Sequence, residues 1–333
     1  MAETTEEKKT VRQSAREPVF PVVMPREKDA AIPERLRAVL SVALAGRKAR
    51  ILETAEELEV FLSQRRSLSE IRSLSENRPA ERILFVLSLG ADGVNLEYAR
   101  LLRFLRRAPG ALDGYTGGVI ADSESDLFTK SAARELVFAA NCAGCAFVGR
   151  PLVEGTGTLS NFAIVARNLG TDWAGAYRES AAELVRSVLE TEFVPRKKPV
   201  LLALHASSHK TSNTWALWSE VRKRLDGFEI QEIGLRNGTL SDCSGCPYKM
   251  CLHFGERGSC FYGGVMAEDV YPAARRADGI IMLCPNYNDA LSANLTAFIN
   301  RLTALFRTVR FYDKALFGIV VSGYSGSDIV AEQ

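Results

Sequence analysis

Between residues 82 and 322 the chain alternates short apolar runs with helical stretches, and this alternation restricts its fold more than any other feature. The runs are RILFVLSL at 82–89, GYTGGVIAD, CAFVG, and then residues 200–204, 228–233, 279–284 and 316–322. Helical patterns fall over NLEYARLLRFLRR and residues 130–140, 173–189, 215–225, 267–277 and 293–306. A strand buried on both faces reads as a continuous aliphatic run, and parallel neighbours need a crossover helix between them. The pattern therefore predicts an α/β protein with a doubly wound parallel sheet. In such a sheet ligands sit at the carboxyl ends of the strands.

The segment Pro195-Arg196-Lys197-Lys198-Pro199 is basic, bounded by prolines and free of periodicity, and it splits the alternation in two. A chain of 333 residues is long enough for two domains. We expect a charged arm and helical segment at 1–80, an abbreviated α/β unit at 81–196 and a second α/β unit at 197–333. Residues 1 to about 30, with Pro18, Pro21 and Pro25, read as a loosely ordered arm. Residues 32–64 read as helical, and the serine-rich stretch 65–78 as a linker or an exposed helix. A net charge of +2 gives no reason to expect a nucleic-acid or membrane partner. No apolar run approaches the roughly 20 residues that span a bilayer, and MAETTEEKKT has no signal core, so a cytoplasmic protein is expected.

One turn is better equipped for a ligand than the rest. Residues 199–214, PVLLALHASSHKTSNT, place Ser207, Ser208, His209, Lys210, Thr211, Ser212, Asn213 and Thr214 between a buried strand and a helix start. Free amides at a helix N-terminus, the positive end of its dipole and several hydroxyl donors suit a phosphate. His209 reads equally as a phosphate donor or as an exposed loop residue. The turn after residue 89, GADGVN, offers one side-chain anchor, Asn95. GTGTLS at 155–160 lacks the third glycine of a dinucleotide loop.

Two further loops belong to the same sheet edge. Pro285, Asn286, Tyr287 and Asn288 follow one strand, and Ser322, Gly323, Tyr324, Ser325 and Gly326 follow another. A tyrosine beside amide or small residues suits a planar ring that is stacked on one face and hydrogen-bonded at its edge. Phosphate at one end and an aromatic platform at the other describe FMN. Cys243, Cys246, Cys251 and Cys260 lie in the loop after the second strand of this unit. Four thiolates there could hold a [4Fe–4S] cluster or zinc, or could be unligated thiols that shape the loop. Arg301, Arg307 and Arg310 read as a solvated helix face.

HASSHKTSNT, CSGCPYKMCLHFGERGSC, ADGIIMLCPNYND and SANLTAFINRL, in this order, resemble the flavodoxin-like NADPH-dependent FMN reductase family and its iron–sulfur flavoprotein branch. The resemblance covers about residues 198–333. It implies a flavodoxin-like sheet that binds FMN, with Ser207, Ser212, Asn213 and Thr214 near the phosphate and Pro285 to Asn288 against the isoalloxazine. Ala206, Ser208 and His209 stand where the family has glycine, proline and arginine, which puts more weight on backbone and hydroxyl donors. The run reaches Gln333 where the family has a further strand and helix. KSAARELVFAANCAGCAFVGRPLV is similar to the later part of the same family, which makes the first unit a degenerate flavodoxin-like unit.

The activity so implied is an FMN-dependent oxidoreductase, with NAD(P)H as co-substrate and a small-molecule acceptor or redox protein as electron sink. Family members form homo-oligomers around the flavin. Two other readings stay open: a non-enzymatic flavin or iron–sulfur electron-transfer protein, and a scaffold that has lost its ligand. No acid or base residue is assigned, because the flavin carries the chemistry.

Overall fold

The computed structural model describes residues 19–27, 30–71, 80–207 and 211–333. The expected arm, up to residue 18, the linker stretch 72–79, and Ser208, His209 and Lys210 lie outside the described residues.

Two parallel sheets share one chain. The first contains β1 (Phe20–Val23), β2 (Ala49–Leu52), β3 (Glu81–Leu89), β4 (Tyr115–Ser123) and β5 (Ala146–Gly155), in the order β2-β1-β3-β4-β5. That is the flavodoxin-like order. Its helices are α1 (Glu34–Ala43), α2 (Ala55–Ile71), α3 (Leu96–Arg107), α4 (Thr129–Cys142), α5 (Ala163–Leu169) and α6 (Trp173–Glu190). The second contains β6 (Val200–His205), β7 (Glu229–Gly234), β8 (Gly279–Pro285) and β9 (Ala315–Val321), in the order β7-β6-β8-β9. Its helices are α7 (Asn213–Arg222), α8 (Tyr248–Glu256), α9 (Tyr271–Arg276), α10 (Ala293–Arg301) and α11 (Ser327–Glu332). The second sheet thus repeats the first four positions of the first.

Period-two alternation builds both cores. On β3, Ile83, Phe85 and Leu87 pack with α2, α3 and α4, while Leu84 and Val86 pack with α1 and α6. On β6, Leu202 and Leu204 meet α9 and α10, while Leu201 and Ala203 meet Trp218 of α7. No helix among the described residues is long and apolar enough to cross a membrane.

The first sheet starts at Phe20, not at residue 81, and it has five strands, so the unit is not abbreviated. FPVV is buried throughout, although three nearby prolines make it read as an arm. Pro21 is tolerated inside the sheet because β1 pairs with β3 only at Val22 and Val23, one step beyond the residue that lacks an N–H. Strand β2 is four residues long and, among the described residues, pairs with β1 alone, too short to show a period of its own between α1 and α2.

Candidate functional site

The carboxyl edge of the second sheet gathers three loops, from the central strands β6 and β8 and from β9. Strand β6 ends at His205, which is buried and packs against Trp215 with ring centroids 4.6 Å apart and the ring planes tilted by 52°. In the turn that follows, Ser207 Oγ is buried and, among the described residues, has no hydrogen-bond partner. Ser212 caps α7, its Oγ accepting from the Trp215 N–H at 3.2 Å. By helix geometry the Asn213 and Thr214 amides have no intrahelical acceptor. Thr211 and Asn213 are exposed, whereas the Thr214 side chain is buried, so Thr214 can offer a ligand only its backbone. Beside this turn a cleft of about 510 Å³ opens between α7 and the start of the α9 region, lined by Trp215, Glu232, Arg236 and Asp269 among others.

The loop after β8 is a tight reversal. Tyr287 and Ala290 exchange two backbone hydrogen bonds of 3.3 Å across Asn288 and Asp289, whose φ angles are 55° and 56°. Two successive left-handed residues make a type I′ turn, and asparagine and aspartate accept that conformation better than other residues with side chains. The loop after β9 is bound to it. Asn286 Nδ2 donates to Ser322 Oγ at 3.0 Å and the Asn286 N–H to the Val321 carbonyl at 2.9 Å. Ser322 Oγ in turn donates to the Tyr324 carbonyl at 2.8 Å. Gly326 has φ +96°, and a Cβ there would lie 2.1 Å from Asp289 Oδ1, so only glycine lets the two loops approach this closely. Tyr287 is 60% exposed and Tyr324 93% exposed, which leaves both rings free to cover a planar ligand. Gly323 has open space around it.

Among the described residues, no group of three or more histidine, cysteine, aspartate or glutamate side chains comes together as a metal site. Cys243, Cys246, Cys251 and Cys260 are therefore not gathered into a ligand set. Polar side chains of α10 hold their loop instead. Asn294 Nδ2 donates to the Leu235 carbonyl at 2.7 Å, and Asn300 Nδ2 to Asp242 Oδ1 at 3.0 Å. Arg301 Nη2 donates to the Gly263 carbonyl at 2.9 Å. Arg301 is 3% exposed, so the reading of it as part of a solvated face is corrected: the loop lies over it, and the Ser241 and Gly263 carbonyls accept from Nη1 and Nη2, while Nε has no partner among the described residues. Cys284 is a core residue of β8, its thiol pushed up to about 11 by burial.

The carboxyl edge of the first sheet is built the other way round. Asn95 caps α3 through Oδ1, and its Nδ2 donates to the carbonyls of Pro25 and Ser88 at 3.0 and 2.9 Å. Its amide thus bridges β1 and β3 across the switch point and is not a free anchor; a cavity of only about 160 Å³ remains beside it. In the turn at 155–160, the carbonyls of Thr156 and Gly157 both accept from Arg35 Nη1 at 3.0 Å. A phosphate cradle presents N–H groups, whereas this turn presents carbonyls to a cation. Arg35 also pairs with both oxygens of Asp122, at 3.1 and 3.0 Å. Burial pushes the Asp122 carboxyl above its ordinary value against the pull of the guanidinium.

Reading the sequence missed Asp289 as part of the site. The signal for it is the Asn-Asp pair next to a strand end, which favours a type I′ turn.

The family model for NADPH-dependent FMN reductase matches residues 199–333, from the start of β6 through α11. None of the curated proteins matches the chain. The match points the second unit to FMN-dependent NADPH oxidoreductase chemistry, and it includes all three loops of the edge.

Proposed function

We propose that the chain is an FMN-dependent oxidoreductase that takes reducing equivalents from NAD(P)H and passes them to a small-molecule acceptor or a redox protein. The observation that carries this reading is the convergence of a hydroxyl-rich helix start and two paired, tyrosine-bearing loops at one sheet edge, inside residues 199–333. The residues suit the cofactor. Ser207 offers a buried hydroxyl without a partner among the described residues, and Ser212, Asn213 and the amides at the start of α7 offer donors to a phosphate. In the sequence, Ser208, His209, Lys210 and Thr211 stand between Ser207 and Ser212 and are proposed to contribute to the same phosphate site.

Pro285, Asn286, Tyr287 and Asn288, with Ser322, Gly323, Tyr324 and Gly326, would take the isoalloxazine. Tyr287 and Tyr324 cover its faces and keep water off them, and the loop amides bond its edge. FMN bound there supplies two-electron redox chemistry between a nicotinamide donor and the acceptor. The chain's own part is to hold and orient both rings and to exclude water, which asks for no acid or base. On the family resemblance alone, we take the working form to be a homo-oligomer.

The visible spectrum of the purified full chain and its NADPH oxidation with quinone or ferricyanide test this directly. Flavin bands with turnover are expected. Flavin without NADPH oxidation would favour an electron carrier instead. The double variant Ser212→Ala, Asn213→Ala should weaken FMN binding by about tenfold or more, since each hydrogen bond to a charged group is worth about 1.5 kcal/mol or more. Unchanged FMN retention would overturn the phosphate assignment.

A further inference from the structure

The two units meet where α11 ends. Arg134 of α4, in the first unit, donates from Nε to the Glu332 carbonyl of the second at 2.6 Å. The next residue, Gln333, reaches the turn after β8: its Nε2 donates to the Asp289 carbonyl at 3.0 Å, and its Oε1 accepts from the Leu291 N–H at 3.3 Å. Asp289 is in turn tied to Asn286, whose Oδ1 accepts from the Asp289 N–H at 2.8 Å. Asn286 is the residue that joins this turn to Ser322.

Helix α11 has six residues, too few to be stable in isolation, so outside contacts must fix its end. Val330, buried in the second core, fixes one side of it. The donor on the other side stands on a firm base. Helix α4 is held to α3 by the Tyr98 hydroxyl, which donates to the Ala132 carbonyl at 2.8 Å, and by Arg106 paired with Glu135 at 2.8 Å. Burial at this junction, with Glu135 and Asp328 nearby, raises the Glu332 carboxyl above its ordinary value, while Arg106 and Arg134 oppose that rise.

We infer that Arg134 is a positioning residue through which the first unit fixes the ring-side loops of the second, by clamping the end of α11 and thereby the turn Asn286 to Leu291. What those loops touch rests on the flavin reading; the clamp itself does not. The first unit is then a structural part of the redox site, although its own sheet edge is closed.

Two substitutions of matched length separate the hydrogen bond from the charge. Arg134→Met keeps the side chain out to the position of Nε and removes the donor and the charge, whereas Arg134→Gln keeps an N–H donor at the position of Nε and removes the charge. In the flavin-free full chain, hydrogen exchange of the amides at 286–291 should speed up about fivefold in Arg134→Met and in Gln333→Ala, and return to the wild-type rate in Arg134→Gln, a size typical of coupling through one contact. Amides at 213–216 should not change. Equal exchange at 286–291 in wild type and Arg134→Met overturns the clamp, as does an Arg134→Gln variant that behaves like Arg134→Met. Because the readout needs no flavin, a chain that binds no FMN yet shows this pattern refutes the flavin reading and leaves the clamp standing.

Discussion

The two sheets of this chain have the same strand order over four positions and opposite chemistry at their carboxyl edges. In the first, a guanidinium and an asparagine amide take up the carbonyls that the loops turn inward, so the chain fills its own crevice. In the second, a capped helix start, a buried hydroxyl and two exposed tyrosines leave donors and aromatic faces for something else. The fold makes an edge, and the polarity of the loop backbone decides whether the edge binds a ligand. The fourth strands differ as well. β4 is buried along its whole length beside β5, whereas β9 has Leu316 and Phe317 exposed.

The comparison breaks most readily at Arg35. In Arg35→Met the Asp122 carboxylate, 4% exposed, loses its counterion, and the variant should lose roughly 3–5 kcal/mol in urea unfolding. The sign with pH follows. Burial already raises the folded-state value of Asp122, and without the guanidinium it rises further, so the folded state binds the proton more tightly than the unfolded state. The variant should be most stable below the unfolded carboxylate range and lose stability as pH rises through the folded value. A loss that stays flat with pH would mean that the first edge is not closed by this ion pair.

A smaller effect is expected at the second edge. Gly326→Ala puts a methyl group against Asp289 at a positive φ and should cost about 1–3 kcal/mol. FMN binding should weaken with it, because the two ring-side loops must separate. Gly323→Ala, with nothing within 4 Å, should stay within about 0.5 kcal/mol of wild type. Equal behaviour of the two variants would deny that the loops act as one unit.

The smallest effect has opposite signs in its two readouts. Ser207→Ala removes a buried hydroxyl that has no partner among the described residues, so the flavin-free protein should gain about 1 kcal/mol. FMN affinity should fall in the same variant. A loss of stability would show that the hydroxyl serves the fold and not a ligand.

Much of this was legible without coordinates. The runs at 82–89, 200–204 and 279–284 emerge as β3, β6 and β8 because strands buried on both faces need aliphatic residues at every position. Ser212 reads as a cap because a hydroxyl before a helical pattern is the local solution to its free amides. The loops at 285–288 and 322–326 could be placed at one edge because a parallel sheet puts every strand's carboxyl end on the same side.

Only the tertiary structure decided the rest. FPVV becomes a buried strand because two neighbours supply its ladder, and four residues with a proline carry no period from which to infer them. Arg35 closes the first edge by meeting Asp122, 87 residues away, and Arg301 is buried because a loop from earlier in the chain lies over it. Arg134 reaches a carbonyl 198 residues further on. The sequence determines what each segment is able to bury or bond, since propensity and periodicity are local. Which charge meets which carbonyl is a property of chain packing, because a partner distant in sequence leaves no mark on the residues beside it.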